Sequence, residues 1–248
     1  MSTTRETGHK VNIENLDQMI VSLKGLGEAY NPSNEDITIS SLEQKLIDAR
    51  AFALNLSDVK QPYTAATDAR QLAFESLEPK VTRAFNALQS TKTSAQTDES
   101  AKAIVRKIKG QKAALKKTAG TSASETGAQV ENNQISSAQL GYDDLLQNFD
   151  EFIKLLEITP QYTPNEMDLK IRSLKEYKAD LTSKNHAVID TKVAVSNARI
   201  ARNEVLYQPL IGVVDTATDV KNYVKSVFGA KSPQFRQISG LVFRRPKK

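Results

Sequence analysis

Apolar residues return at helical spacing in two separate parts of this chain. Ile13, Leu16, Ile20 and Leu23 stand 3, 4 and 3 residues apart, and Leu145, Phe149, Phe152 and Leu156 stand 4, 3 and 4 apart. Either set lays one apolar stripe along a helix. Downstream of each stripe the pattern lengthens. Leu42, Ala49, Leu56, Tyr63 and Leu77 keep a seven-residue register, with Phe52, Val59, Ala66 and Ala73 beside it. From Leu174 the row runs through Leu181, Val188 and Val195, with Tyr177, Thr191, Ala198 and Val205 alongside. Such rows predict long helices that share a bundle or coiled-coil seam. No helix breaker interrupts the chain between Pro164 and Gln208, which allows a helix of about 65 Å. In the first copy Pro62 predicts a kink.

The two long rows are introduced by nearly the same phrase. "YNPSNEDITISSL" (Tyr30 to Leu42) and "YTPNEMDLKIRSL" (Tyr162 to Leu174) share Tyr, Pro, Asp, Ile, Ser and Leu in register at an offset of 132. In the second phrase Thr163 and Glu166 have the spacing of a capping box, and Pro164 falls at the first helical position. Tyr162 and Met167 are placed to form the hydrophobic staple. The first phrase has Asn31 and Pro32, but Asn34 and Glu35 replace the box and staple residues, which predicts a looser helix start. The copies close on "RKIKG" (Arg106 to Gly110) and "RQISG" (Arg236 to Gly240), whose glycines suit helix C-caps. Pro79 and Pro209 are expected to open a further helix in each copy, and Ser232–Pro233 reads as an N-cap followed by a first-turn proline.

The fold expected is all-α: an elongated helical bundle of two tandem homologous three-helix units with long central helices. The first repeat is assigned to residues 1–110 and the second, with a basic C-terminal tail, to residues 141–248. Residues 111–140, which include the polar run "TAGTSASETGAQVENNQISSAQ", make a basic, low-complexity connector.

Composition supports helix and narrows the chemistry. Glycine and proline are scarce in the 248 residues, at 10 and 8. Cysteine is absent, which excludes disulfides, thiolate metal sites and cysteine nucleophiles. The start has no apolar run of signal-peptide type, and the most apolar stretch, Val205 to Val214, is half a membrane span, so a cytoplasmic location is expected. Of the two histidines, His9 lies in an N-terminal stretch expected to fray, and His186 reads as a surface or seam residue. Gly25 and Gly27 lack the strand and the GK[ST] of a phosphate loop. No catalytic residue, metal ligand or cofactor site is assigned.

The net charge of +5 is unevenly spread. Lys102, Arg106, Lys107, Lys109, Lys112, Lys116 and Lys117 cluster without an acidic neighbour, as do Arg236, Arg244, Arg245, Lys247 and Lys248 at the end of the chain. Outside these segments acidic residues outnumber basic ones. Lys102, Arg106, Lys109, Lys112 and Lys116 are spaced to share one helical face, and the terminal cations form a flexible tail. Together they are candidate polyanion contacts. Arg70 and Arg202, at the offset of 132, both fall where the apolar row expects a core residue. They form a candidate polar pair in the seam, although helix drift would also turn those positions toward solvent, and an alignment of Ala69–Arg70 with Ala198–Arg199 would dissolve the coincidence.

"YTPNEMDLKIRSL", "NARIARNEVLY" and "VKNYVKSVFGAKSPQFRQISGLVF" resemble an uncharacterised all-helical protein family of Bacteroidota, most strongly over residues 141–243. The resemblance implies a bacterial cytoplasmic helical protein and no activity, cofactor or site residue. The leading expectation is a non-catalytic structural or interaction protein whose partner is another protein or a second copy. The alternative is nucleic-acid or polyanion binding through residues 102–117 and 236–248. A membrane-active helical bundle, supported by Val205 to Val214 alone, is the third.

Overall fold

The computed structural model describes residues 3–111 and 141–246, with side chains of the first helix from Gly8 onward. The described residues are α-helical with short 3-10 turns, and no strand occurs among them. The helices are α1 (Thr3–Lys24), α2 (Ile39–Glu75), α3 (Leu77–Gln89), α4 (Ala95–Ile108), α5 (Tyr142–Glu157), α6 (Ile171–Tyr207), α7 (Val213–Phe228) and α8 (Pro233–Ser239). Each half thus shows four α-helices among the described residues rather than three. The long helices α2 and α6 have 37 residues each, and α2 continues through Pro62.

The chain forms two compact units, and they divide it differently from the expected boundaries. Unit 1 contains residues 1–64 and 190–248, and unit 2 contains residues 65–189. In unit 1, Leu16, Met19, Ile20 and Leu23 of α1 and Leu42, Leu46 and Ala49 of α2 share one core with Leu206 of α6, Val213, Ala217, Val220 and Val224 of α7, and Ile238 of α8. In unit 2, Phe149, Phe152, Ile153 and Leu156 of α5 and Leu174 and Leu181 of α6 pack with Phe74, Leu77, Val81, Leu88, Val105 and Ile108 of α2, α3 and α4. The reason is geometric. A hairpin of two amphipathic helices leaves apolar surface uncovered, and helices from the other half of the chain cover it.

Both hairpins are antiparallel, as their ion pairs show. Lys24–Glu43 (2.6 Å) and Asp17–Arg50 (2.6 Å) join α1 to α2. Glu157–Lys175 (2.6 Å) and Asp150–Lys178 join α5 to α6. Glu43 and Lys175 are equivalent at the offset of 132, and Lys24 and Glu157 at 133, so the two hairpins use the same place with reversed charge. Asp150 also pairs with Lys154, and these two lysines hold its carboxyl below the usual carboxylate range.

The doubled phrase does not open a helix at Thr163. A 3-10 turn at Met167–Leu169 intervenes, α6 begins at Ile171, and Met167 is exposed. The tyrosine is no staple either. Tyr162 is buried and its hydroxyl donates to the Leu169 carbonyl at 2.8 Å, while Tyr30 donates to the Ile37 carbonyl at 2.6 Å. Both phrases therefore fold the chain back on its own tyrosine before the long helix starts. The first copy is also the better capped. Asn34 accepts from the Asp36 N–H, and the Thr38 hydroxyl accepts from the Ser41 N–H. Lys170 replaces Thr38 in the second copy and has no acceptor to offer.

Ser232 accepts from the Phe235 N–H and Pro233 opens α8, as the sequence implies. Gly110 has φ 64°, and the Gly110 and Gln111 N–H groups donate to the Lys107 and Arg106 carbonyls, which closes α4 in a Schellman turn. Gly240 has φ −75° and makes no such turn. Pro79 lies inside the first turn of α3, whereas Pro209 belongs to the turn before α7.

Candidate functional site

Of the expected cationic face, α4 carries Lys102 and Arg106; it ends at Ile108 and turns at Gly110. Lys102 is exposed and Arg106, one turn on, is half-buried. Lys107 lies 3.9 Å from the Glu151 carboxylate, and Lys109 sits at the helix end. Lys112, Lys116, Lys117, Lys247 and Lys248 lie outside the described residues.

The C-terminal tail, expected to be flexible, is strapped to unit 1 up to Arg245. Asn12 of α1 donates to the Arg244 carbonyl at 2.9 Å and accepts from its N–H at 3.0 Å, and Asn15 donates to the Val242 carbonyl at 2.9 Å. Lys221 donates to the Leu241 carbonyl, while Leu241 and Phe243 pack on the core. Burial lowers the Lys221 ammonium below the usual lysine range. Arg245 grips both carboxylate oxygens of Asp215 at 2.7 Å, and donates to the Tyr207 carbonyl at 2.9 Å. Arg236 remains exposed on α8.

Asp215 sits in the first turn of α7, where it also accepts from the Leu210 N–H at 2.9 Å. The Arg245 guanidinium and then the Leu210 N–H hold its carboxyl below the usual range. Leu210 has φ 74°, and a Cβ on Gly212 would lie 2.7 Å from both the N and O of Gln208, so this turn needs glycine there. The apolar stretch Val205 to Val214 is split by this turn, and Leu206, Val213 and Val214 are buried in unit 1. Among the described residues no helix is long and apolar enough to cross a membrane.

Arg70 belongs to unit 2 and Arg202 to unit 1. Neither stands fully in solvent as helix drift would have it: Arg70 is half-buried and Arg202 is buried. In unit 2 the Arg70 guanidinium lies 3.9 Å from the centroid of the Tyr142 ring, and its Nη1 donates to Asn185 Oδ1 at 3.0 Å. Asn185 Nδ2 in turn donates to Asp143 at 2.7 Å, and Phe74 meets Tyr142 edge-on at 4.8 Å. Arg70 Nε is buried without a hydrogen-bond partner among the described residues. Arg202 is 4% exposed, and its Nε and Nη2 donate to Asn203 Oδ1 at 3.3 and 3.0 Å.

Arg202 forms part of the wall of a cleft in unit 1 of about 540 Å³. Ile13, Ala53 and Leu56 supply apolar surface, and Lys10, Arg50, Lys60 and Arg202 supply positive charge around it. Glu14 is the one carboxylate among the described lining residues. His9 also lines the cleft. Its N-terminal position suggests a frayed end, but it is buried, with Nδ1 2.6 Å from the Tyr207 hydroxyl. Asn12 donates to the same hydroxyl at 3.3 Å. His186 is exposed on α6, in keeping with a surface histidine.

No protein-family model, curated protein or solved structure matches the chain. Among the described residues no group of three or more His, Asp or Glu side chains is placed to hold a metal ion.

Proposed function

We propose that this chain is a non-catalytic structural or interaction protein, made of two homologous halves with long central helices, that associates with further copies of itself. The observation that carries this is the exposure of large apolar side chains one heptad apart on both long helices of unit 1. Ile47 and Leu54 on α2 are 60% and 64% exposed, and Val193 and Ile200 on α6 are 52% and 55% exposed. Two apolar positions seven residues apart are what a docking helix uses as successive knobs. Covering each such side chain contributes about 1.5–3 kcal/mol, enough in combination for a weak assembly. Equal exposure of scattered single residues would need no explanation, but heptad pairs on both long helices do. Light scattering over a range of protein concentrations tests the proposal. Mass should rise with concentration, and Ile47→Glu with Leu54→Glu, or Val193→Glu with Ile200→Glu, should return it to one chain. A wild-type protein of single-chain mass at every concentration would refute it.

Polyanion binding is the second reading. Lys102 and Arg106 support it, standing one turn apart on α4 with no ion pair among the described residues. Arg245 and Lys107 are already engaged with Asp215 and Glu151 and weaken it.

A further inference from the structure

The C-terminal strap of unit 1 lies between α1 and α7 and is held largely through its backbone. Asn12, 1% exposed, bonds both the C=O and the N–H of Arg244, and Asn15, one turn on, donates to the Val242 C=O. Lys221 of α7 donates to the Leu241 and Ser239 carbonyls. The side chains alternate: Leu241 and Phe243 pack on the core, while Val242 and Arg244 are exposed, which is the period of an extended chain. Main-chain bonds combined with places for alternate side chains are how a groove reads an extended peptide. Asp215, taking Arg245 at both oxygens, fixes the register. The fit is incomplete at one point. The Lys221 ammonium meets two carbonyls and the Phe243 ring, 5.7 Å from its centroid, and no carboxylate pairs with it among the described residues. Gly240 stands between those two carbonyls with φ −75°, and no atom lies within 4 Å of where its Cβ would be. An acidic side chain has room there, beside a cation that the strap leaves without a counter-ion.

From this we propose that the groove between α1 and α7 recognises an extended segment of another protein, of the pattern acidic–Leu–x–Phe–x–Arg, and that the chain's own strap is the weaker occupant which that segment displaces. Leu and Phe take the places of Leu241 and Phe243, and the arginine takes the Asp215 carboxylate. The acid pairs with Lys221, whose charge burial disfavours and a carboxylate restores. That pair is what lets an incoming segment compete. The strap is tethered, and tethering gives it an effective concentration on the order of mM. A second copy offers the same strap with Gly240 in place of the acid, and so gains nothing over the one already seated. Charge placed opposite charge also sets which segments are accepted. The groove uses neither heptad pair, so it stands apart from the self-association proposed above.

Fluorescein-labelled peptides titrated into the full-length protein, read by anisotropy, test this. SGLVFRRP copies residues 239–246 of the chain, and SELVFRRP has Glu in place of its Gly. SELVFRRP should bind saturably and about threefold or more tighter than SGLVFRRP. SELVSRQP, which lacks the ring and the anchoring guanidinium, should bind at least about tenfold more weakly than SELVFRRP. In the protein, Phe243→Ser loosens the strap and should tighten SELVFRRP about tenfold. Arg245→Gln, a change at an exposed side chain, should tighten it about threefold even if Phe243→Ser misfolds. Lys221→Gln should erase the difference between SELVFRRP and SGLVFRRP. Absence of saturable binding to the Arg245→Gln protein overturns the proposal. So does equal affinity for SELVFRRP and SGLVFRRP, or binding of SELVSRQP as tight as that of SELVFRRP. A rise of mass with concentration that Phe243→Ser abolishes would give the groove to the strap of a second copy, which also overturns it.

Discussion

Replacing Tyr162 by Phe removes one oxygen and nothing else, so its effect measures the bond that folds the second phrase. The ring stays buried, and its packing in unit 2 is unchanged. The Leu169 carbonyl loses the donor it holds at 2.8 Å. Leaving a buried acceptor without its donor costs about 1–3 kcal/mol, more than the net worth of an average hydrogen bond. With a urea slope of about 2 kcal/mol/M, the midpoint should fall by about 0.5–1.5 M with the slope preserved. Tyr30→Phe makes the same cut in unit 1, at a bond of 2.6 Å, and should cost a similar amount. Far-ultraviolet circular dichroism during urea titration reads both. A second, independent signature comes from alkali. Burial, then Glu166 and Asp168, push the Tyr162 phenol from its ordinary value near 10 to about 12. The folded state therefore keeps a proton that the unfolded state gives up, and the stability this provides is complete below pH 10. It is lost as pH rises toward 12, and Tyr162→Phe should remove that part of the alkaline slope. Stability unchanged within about 0.3 kcal/mol in both variants would refute the account of the repeated phrase.

Two other perturbations test the turn between α6 and α7. Gly212→Ala places a Cβ 2.7 Å from the backbone of Gln208, so thermal melting should show a loss greater than about 2 kcal/mol, and a loss below about 0.5 kcal/mol would contradict the geometry. Because the Asp215 carboxyl is held below its ordinary value of 3.8, its contribution is present above that pH and is lost as pH falls through the lower folded value. Arg245→Gln should flatten the acid limb of the stability curve in that window; an identical limb would show that the ion pair adds nothing.

Much of the architecture was legible because periodicity reports burial directly. Leu16, Ile20 and Leu23 are buried, as are Phe149, Phe152 and Leu156, and the heptad rows mark Leu42, Ala49, Leu56, Leu181, Val188 and Val195 correctly. Spacing does not say which surface a row will meet, so the division of the chain into units was not legible. Leu46 and Ala49 share a core with Val213 and Val220, residues that no local pattern links to them. The repeated phrase misled for a related reason. A Thr-Pro-x-Glu string has the chemistry of a capping box, but Tyr162 finds a better use for the chain by donating to Leu169, and that bond delays the helix to Ile171. His9 was misplaced because a polar N-terminal segment looks free until Tyr207, far along the chain, supplies a partner.

The interleaving of the two units sets an order of events during synthesis. Unit 2 is one continuous stretch and can close once residue 189 has left the ribosome. Unit 1 needs both ends of the chain, because α1 and the start of α2 share their core with α7 and α8. Closing so long an intervening segment adds only slowly to the entropic cost, so the delay is one of waiting and not of stability. Until the last helices emerge, the apolar stripe of α1 has no cover from its own unit, which makes the first part of this protein to be made the last to be finished.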